Sequence, residues 1–433
     1  MSEPESNQGF RRAVSRWEIV GLSVNDVIGS GVYLLPATAA MILGPMSVWA
    51  VVLAGFAVLL LVLCFAEAGS YFDRPGGAYL YTREAFGELV GFEVGWMTWI
   101  ARVSSVASLS VGFAQALGYL WPQTQQGIGR TLAITLPLLA LTAINIVGVK
   151  SGVRTAVFLA ITKTLPLVVF IGAGLFAMSW TLATLPTPRN GSLGQAALLL
   201  LFAYAGFENT PAPAGEFKNP RRDVPFALVV QIVLVTLIYS AVQLVALGTL
   251  PDLAHSKTAL ADAARLFLGP WGGLLLTIGA VLSILGTNSN TVLAGPRYLY
   301  ALAADGFGPR ALAWLHPQFR TPVVAILTQT AIALPLALSG SFEKLATLSV
   351  VARLATYFGT AAAVLVLRKK YPDVPGRVRI PGGPVIPVAA LLLCVAFAAS
   401  AERSNLIAGA IAIVVGYLLY LIRREPVSSG TAS

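Results

Sequence analysis

A helix that crosses a bilayer needs about twenty consecutive apolar residues, and this chain supplies such runs along nearly all of its 433 residues. Twelve are readable, at 17–43, 46–72, 92–120, 131–148, 153–180, 193–216, 224–249, 268–300, 322–340, 345–368, 384–401 and 405–422. In hydrocarbon every unpaired backbone group costs several kcal/mol, so such runs satisfy themselves as helices. With 56% hydrophobic residues, 11% charged residues and a mean hydropathy of +0.77, no soluble class accommodates the chain. The expected fold is an all-α integral membrane protein with twelve transmembrane helices. The first run is too long, and lacks the small-residue cleavage site, for a secretory signal. Cys64 and Cys394 both fall within runs, so no disulfide framework is implied.

A net charge of +10 invites a nucleic-acid partner, and its distribution argues against one. When sides alternate from a cytoplasmic N-terminus, twenty Lys and Arg fall on the cytoplasmic segments and six outside. Arg102, Lys163 and Arg353 stay within runs. That bias is the positive-inside pattern, so both termini are expected in the cytoplasm and the excess charge serves topology.

Two runs carry breaks. Gly21 to Pro36 has Gly29-Ser30-Gly31 at its middle, a stretch of poor helix propensity with little side chain to shield its backbone. Close helix packing through small residues is one reading of it; a cavity where a ligand meets bare amides and carbonyls is the other. The sixth run repeats the pattern from Phe202 to Glu216, with Gly206, Glu208, Pro211, Pro213 and Gly215. A matched pair of interrupted segments is the sequence sign of a transporter site at an inverted-repeat interface. The chain then divides into a tail (1–16), a first repeat of helices 1–5 (17–180) and a second of helices 6–10 (193–368). Two further helices (384–422) and a tail (423–433) follow.

The motifs carry a resemblance. Ile28-Gly29-Ser30-Gly31-Val32-Tyr33 with Pro36, then Pro75-Gly76-Gly77-Ala78-Tyr79 through Phe86-Gly87, are followed by Phe202 to Glu208 and Glu216 to Pro225. Pro296-Arg297-Tyr298 through Asp305-Gly306 closes the set. In this order the chain resembles a bacterial member of the amino acid–polyamine–organocation transporter superfamily. The resemblance implies a five-plus-five inverted-repeat core, broken helices 1 and 6, two appended helices, and a permease of the bacterial inner membrane. A broken helix presents free N–H groups and a positive dipole end where its second half starts. Ser30, Gly31 and Val32 are therefore expected to cradle a substrate carboxylate. Carbonyls around Val27, Ile28, Phe202, Ala203 and Ala205 are expected to accept from its ammonium.

Phe202 resembles the aromatic that closes over substrate in relatives, or is ordinary packing. Glu208 either senses protons and meets the substrate amine, or ties down the unwound backbone. Lys163 matches a lysine that stands in for a sodium ion in sodium-independent relatives, and is expected either to couple protons or to bridge helices as a fixed cation. Tyr79 to Phe86 and Arg297 to Asp305 resemble inner-gate helices. Arg102 and Arg353 match no such role and are expected to snorkel or to be paired. Asp26 is assigned no role.

Other signals are weak. His255 and His316 have no second ligand at metal spacing, no Walker motif is present, and no nucleophile–base constellation suggests an enzyme. No cofactor is expected. Asn190-Gly191-Ser192 fits a glycosylation triplet that arises readily by chance. The loop near Pro122–Arg130 lacks the cysteine that a disulfide-linked partner subunit would use. The expected function is proton-coupled, sodium-independent transport of neutral L-amino acids, with exchange of basic amino acids or polyamines as the alternative.

Overall fold

The computed structural model describes residues 14–72, 76–148, 153–180, 192–210, 218–375 and 377–422. Residues 1–13 and 423–433 of the two tails, the Pro211–Glu216 run, Pro75, Lys150 and Asn190-Gly191 lie outside the described residues. Among the described residues the regular elements are helices. They are α1 (Arg16–Val27), α2 (Gly31–Leu43), α3 (Ser47–Ser70), α4 (Gly77–Phe86), α5 (Glu88–Leu117), α6 (Gly127–Val147) and α7 (Val153–Ala177). Then come α8 (Leu193–Tyr204), α9 (Pro220–Thr249), α10 (Ala259–Ala304), α11 (Val323–Ser339), α12 (Phe342–Lys370), α13 (Val385–Ala399) and α14 (Arg403–Leu421).

Seven stretches among the described residues are long and apolar enough to cross a membrane, and four shorter apolar helices accompany them. The difference from twelve runs is geometric. The sixth run is interrupted after α8, which at 12 residues is only about 18 Å long. The 17 residues of α11 and 15 of α13 reach about 26 Å and 23 Å, short of a ~30 Å hydrocarbon core. In the other direction, α10 runs for 46 residues because two helices join across a kink at Gly269-Pro270.

The interior is organised around α5, which packs along both α10 and α12. Small hydroxylic residues let α5 and α12 approach closely. Thr98 Oγ1 bonds Thr356 Oγ1, and Ser105 Oγ bonds Ser349 Oγ, both at 2.8 Å, while Ser108 Oγ donates to Phe342 O at 2.9 Å. The broken first run packs differently: α1 lies against α9 and α7, and α2 against α8.

The end of the bundle that carries α4 is laced by charges. Arg368 grips the fully buried Glu67 with two bonds, Nε to Oε1 at 2.6 Å and a terminal nitrogen to Oε2 at 2.7 Å. The Ile380 amide adds a third at 2.8 Å. Arg16 at the start of α1 reaches Asp223 at the start of α9 at 2.9 Å. The inner-gate segments expected from the sequence meet here: the Tyr79 hydroxyl donates to Asp305, and Arg83 bonds the same carboxylate at 3.2 Å. Burial first, then the Asp305 bond and its charge, hold the Tyr79 phenol above its ordinary pKa, so it remains a donor.

Removing one partner of a buried ion pair strands the other. Glu67→Ala should therefore cost about 3–5 kcal/mol of stability, whereas the double change Glu67→Leu with Arg368→Leu should recover most of that loss. The midpoint of heat-induced loss of monodisperse protein, compared across the three proteins, checks this.

Candidate functional site

Helix α1 stops at Val27, and Ile28 turns away with ψ 99° before α2 begins at Gly31. Helix α8 stops at Tyr204, and Ala205 is extended before Gly206 takes φ 129° and a 3₁₀ turn covers Phe207–Asn209. These two breaks are pressed together. A Cβ on Gly31 would lie 2.5 Å from the Ala203 Cα, and one on Gly206 would lie 2.5 Å from the Asp26 carbonyl oxygen. Gly206 also needs its positive φ, which side chains resist.

Most carbonyls of the first break have found donors; among the described residues that of Asp26 has none. Lys163 Nζ, on α7, donates to Asn25 O at 2.9 Å and Ile28 O at 3.1 Å, with Thr287 Oγ1 at 3.4 Å. Ser283 Oγ reaches Ile28 O and Gly29 O at 3.2 Å. The Tyr239 hydroxyl lies between the two breaks, 3.2 Å from Val27 O and 3.1 Å from Ala203 O. Gln231, on the same face of α9, donates to Ser23 O at 2.9 Å. The amides are different. Tyr33 N and Leu34 N return to Ser30 O, but those of Ser30, Gly31 and Val32 donate to no backbone carbonyl among the described residues.

A cavity opens between the breaks, enclosing with its mouth about 490 Å³. Of the residues singled out from the sequence, Val27, Ser30, Gly31, Phe202, Ala203 and Ala205 line it. Ile28, Val32, Lys163 and Glu208 are not among its lining residues. Lys163 instead braces the first break from behind. Glu208 accepts from the Gly206 amide at 2.9 Å, and its carboxylate meets Arg353 in a close ion pair and Arg102 at 3.8 Å. Phe202 packs edge-on against Phe342, centroids 5.8 Å apart.

The engaged carbonyls change the expected ligand set. Val27 O and Ala203 O face Tyr239, Ile28 O holds Lys163 and Ser283, and Phe202 O accepts from Ala205 N at 3.2 Å. Ala205 O has no such donor among the described residues, and the Asp26 carboxylate lines the cavity beside it. Asp26, assigned no role from the sequence, stands just before the break and accepts from Asn290 Nδ2 at 3.2 Å. Arg102 and Arg353 prove to be paired, and both line the cavity. A helical-face signal was available for Arg102: with Ser105 and Leu109 it follows the i, i+3, i+7 spacing of one stripe, and all three line the cavity.

Residues 14–418 match the family model described as amino acid permease. The chain is 26% identical to the branched-chain amino acid permease BcaP of Bacillus subtilis, over 96% of this chain and 93% of that protein. It is 27% identical to the methylthioribose transporter of the same organism, over 98% and 95%. To the serine/threonine exchanger SteT, also from Bacillus subtilis, it is 30% identical over 89% and 90%.

The glycine contacts rank three substitutions. At Gly31 and Gly206 an added methyl meets backbone, which has nowhere to go, and Gly31→Ala and Gly206→Ala should each cost about 1–3 kcal/mol. At Gly29 the nearest atom is Thr287 Oγ1 at 3.1 Å, a side chain that can turn, so Gly29→Ala should be milder than either. Melting midpoints of the three purified variants test the order, and equal midpoints would remove the wedged-break geometry.

Proposed function

Because the chain belongs to the amino acid permease family of the amino acid–polyamine–organocation superfamily, we propose that it carries amino acids lacking a basic side chain across the membrane by alternating access. Neutral L-amino acids fall in that class. The observation that carries this reading is the pair of opposed helix breaks with three uncommitted amides between them. A substrate carboxylate takes the amides of Ser30, Gly31 and Val32, aided by the positive end of the α2 dipole. Its ammonium takes the Ala205 carbonyl and the Asp26 carboxylate. Basic substrates, the alternative drawn from sequence, are disfavoured by Arg102 and Arg353 in the cavity wall.

In this reading α1–α7 and α8–α12 form two inverted five-helix repeats, each opening on a broken helix, with α13 and α14 appended. Twelve spans, cytoplasmic termini and a bacterial inner-membrane location belong to the same proposal. The α4 end is then the cytoplasmic gate, closed here by the Tyr79–Asp305–Arg83 cluster and the Arg16–Asp223 pair.

Coupling falls to Lys163. Its ammonium occupies a carbonyl-lined position where a metal cation would otherwise be needed, which supports sodium independence. Loss of its proton as the gate opens would free the Asn25 and Ile28 carbonyls, loosen α1 and release substrate, so proton movement and release are linked.

Uptake into proteoliposomes should therefore be indifferent to sodium, rise as the outside is acidified and collapse with a protonophore. Lys163→Ala should abolish concentrative uptake while sparing some counterflow. A sodium requirement, or a Lys163→Ala variant that still concentrates substrate on a proton gradient, would overturn the coupling scheme. For the gate, single cysteines at Arg83 and Asp305 should change their maleimide labelling rates by several-fold on adding substrate; unchanged rates at both count against a moving gate.

A further inference from the structure

One carboxylate stands between the two guanidiniums of the cavity wall. Glu208 offers Oε1 to both Arg353 and Arg102, and its Oε2 is held by the Gly206 amide. Arg353 is well supplied, with that close ion pair, Ser105 Oγ at 3.0 Å and Ser349 Oγ at 3.4 Å. Arg102 is not. It lies 3.8 Å from the shared carboxylate oxygen, gives one nitrogen to the neutral amide oxygen of Asn209, and leaves its buried Nε without an acceptor. The ring of Tyr298, 6.0 Å away, supplies only a weak cation–π contact. Asp26, the other acid of the cavity, is engaged by Asn290, and no ion pair joins it to Arg102 among the described residues.

Depth makes this imbalance expensive. Arg102 sits halfway along the 30 residues of α5, and it is 3% exposed. A cation at mid-membrane persists when something neutralises it. Among the described residues around the breaks, three cations (Lys163, Arg102 and Arg353) face two carboxylates (Asp26 and Glu208). A neutral substrate leaves that excess in place and a basic one doubles it. A substrate of net charge −1 cancels it.

We infer that the Arg102 wall is a second anion subsite, and that the preferred substrate is an amino acid bearing a further acid group on its side chain. The inference rests on the permease reading above and deepens it. The α-carboxylate uses the α2 amides, so the side-chain acid is the group left to meet the Arg102 guanidinium in the cavity wall. A guanidinium is suited to that, because its planar donors take a carboxylate in pairs. Arg353, saturated by Glu208 and two serine hydroxyls, holds Glu208 in place and so prevents it from neutralising Arg102 fully.

Isosteric pairs that differ by this charge give the test. The full-length protein in proteoliposomes is assayed with L-glutamate against L-glutamine and L-aspartate against L-asparagine, by binding and by counterflow. In at least one pair the acid should bind ten-fold or more tightly than its amide. Arg102→Gln should bring that ratio close to one, and Arg102→Lys should keep most of it. If Arg102→Gln does not fold, the wild-type ratios decide alone. Amides that bind as tightly as acids would overturn the inference and leave the permease reading standing, as would an Arg102→Gln variant that weakens acid and amide equally. Failure to bind any amino acid would overturn both.

Discussion

In hydrocarbon the carbonyls released where α1 stops would each cost several kcal/mol if left bare, and the break is tolerable because Lys163 fills it. Its ammonium reaches two of those carbonyls at 2.9 and 3.1 Å from a helix 138 and 135 residues further along the chain. Ser283 and Tyr239 donate to neighbouring carbonyls from α10 and α9. A single cation therefore fixes the end of α1 and spares α2's amides from the need to fold back on those carbonyls. It also leaves the cavity between the breaks open. The phenol of Tyr33, one turn into α2, donates to the backbone carbonyl of Lys163 itself at 2.8 Å, so the two halves of the broken helix are tied to one residue.

The carbonyls and amides of the site are thus treated unequally, and that asymmetry defines what it can bind. Acceptors at the first break are filled by side chains of the protein, whereas donors at the start of α2 are open. An anionic group is the natural complement of the open amides. The cation of a substrate has fewer places to go, and Asp26 with the Ala205 carbonyl is what remains.

How much of this was legible follows the range of the physics. Breaks are local, and Gly29-Ser30-Gly31 and Gly206 announced them through backbone freedom alone. The helical class was legible too, because apolar run length is read directly. Lys163 was reachable through the resemblance of motifs, while its acceptors, Asn25 O and Ile28 O, are set by the packing of α7 against α1. Occupancy of carbonyls was not legible. Tyr239 is 212 residues from Val27, and nothing in its own neighbourhood distinguishes it from an ordinary core tyrosine. For Arg102 and Arg353 pairing was expected but the partner was not legible, for the same reason: a buried charge is defined by its partner, and theirs sits on a third element. Asp26 was assigned no role because a single acid beside a break reads equally well as a local cap.

The contacts sort the helices into two groups, α1, α2, α3, α8 and α9 on one side and α5, α6, α10, α11 and α12 on the other. The broken helices lie in the first group. Glu208 belongs to it, but its guanidinium partners lie on α5 and α12 of the second. The Asp26–Asn290 bond and the Ser283 bonds to the first break cross the same boundary. In the proposed alternating-access cycle, motion of one group against the other would disturb buried charge pairs, and an unpaired charge at that depth is costly. Direct bonds alone would lock the groups together. Leaving Arg102 short of a full partner avoids that, since a ligand anion in the cavity can hold the guanidinium while Glu208 shifts. The same incompleteness that leaves room for a ligand keeps the boundary able to move.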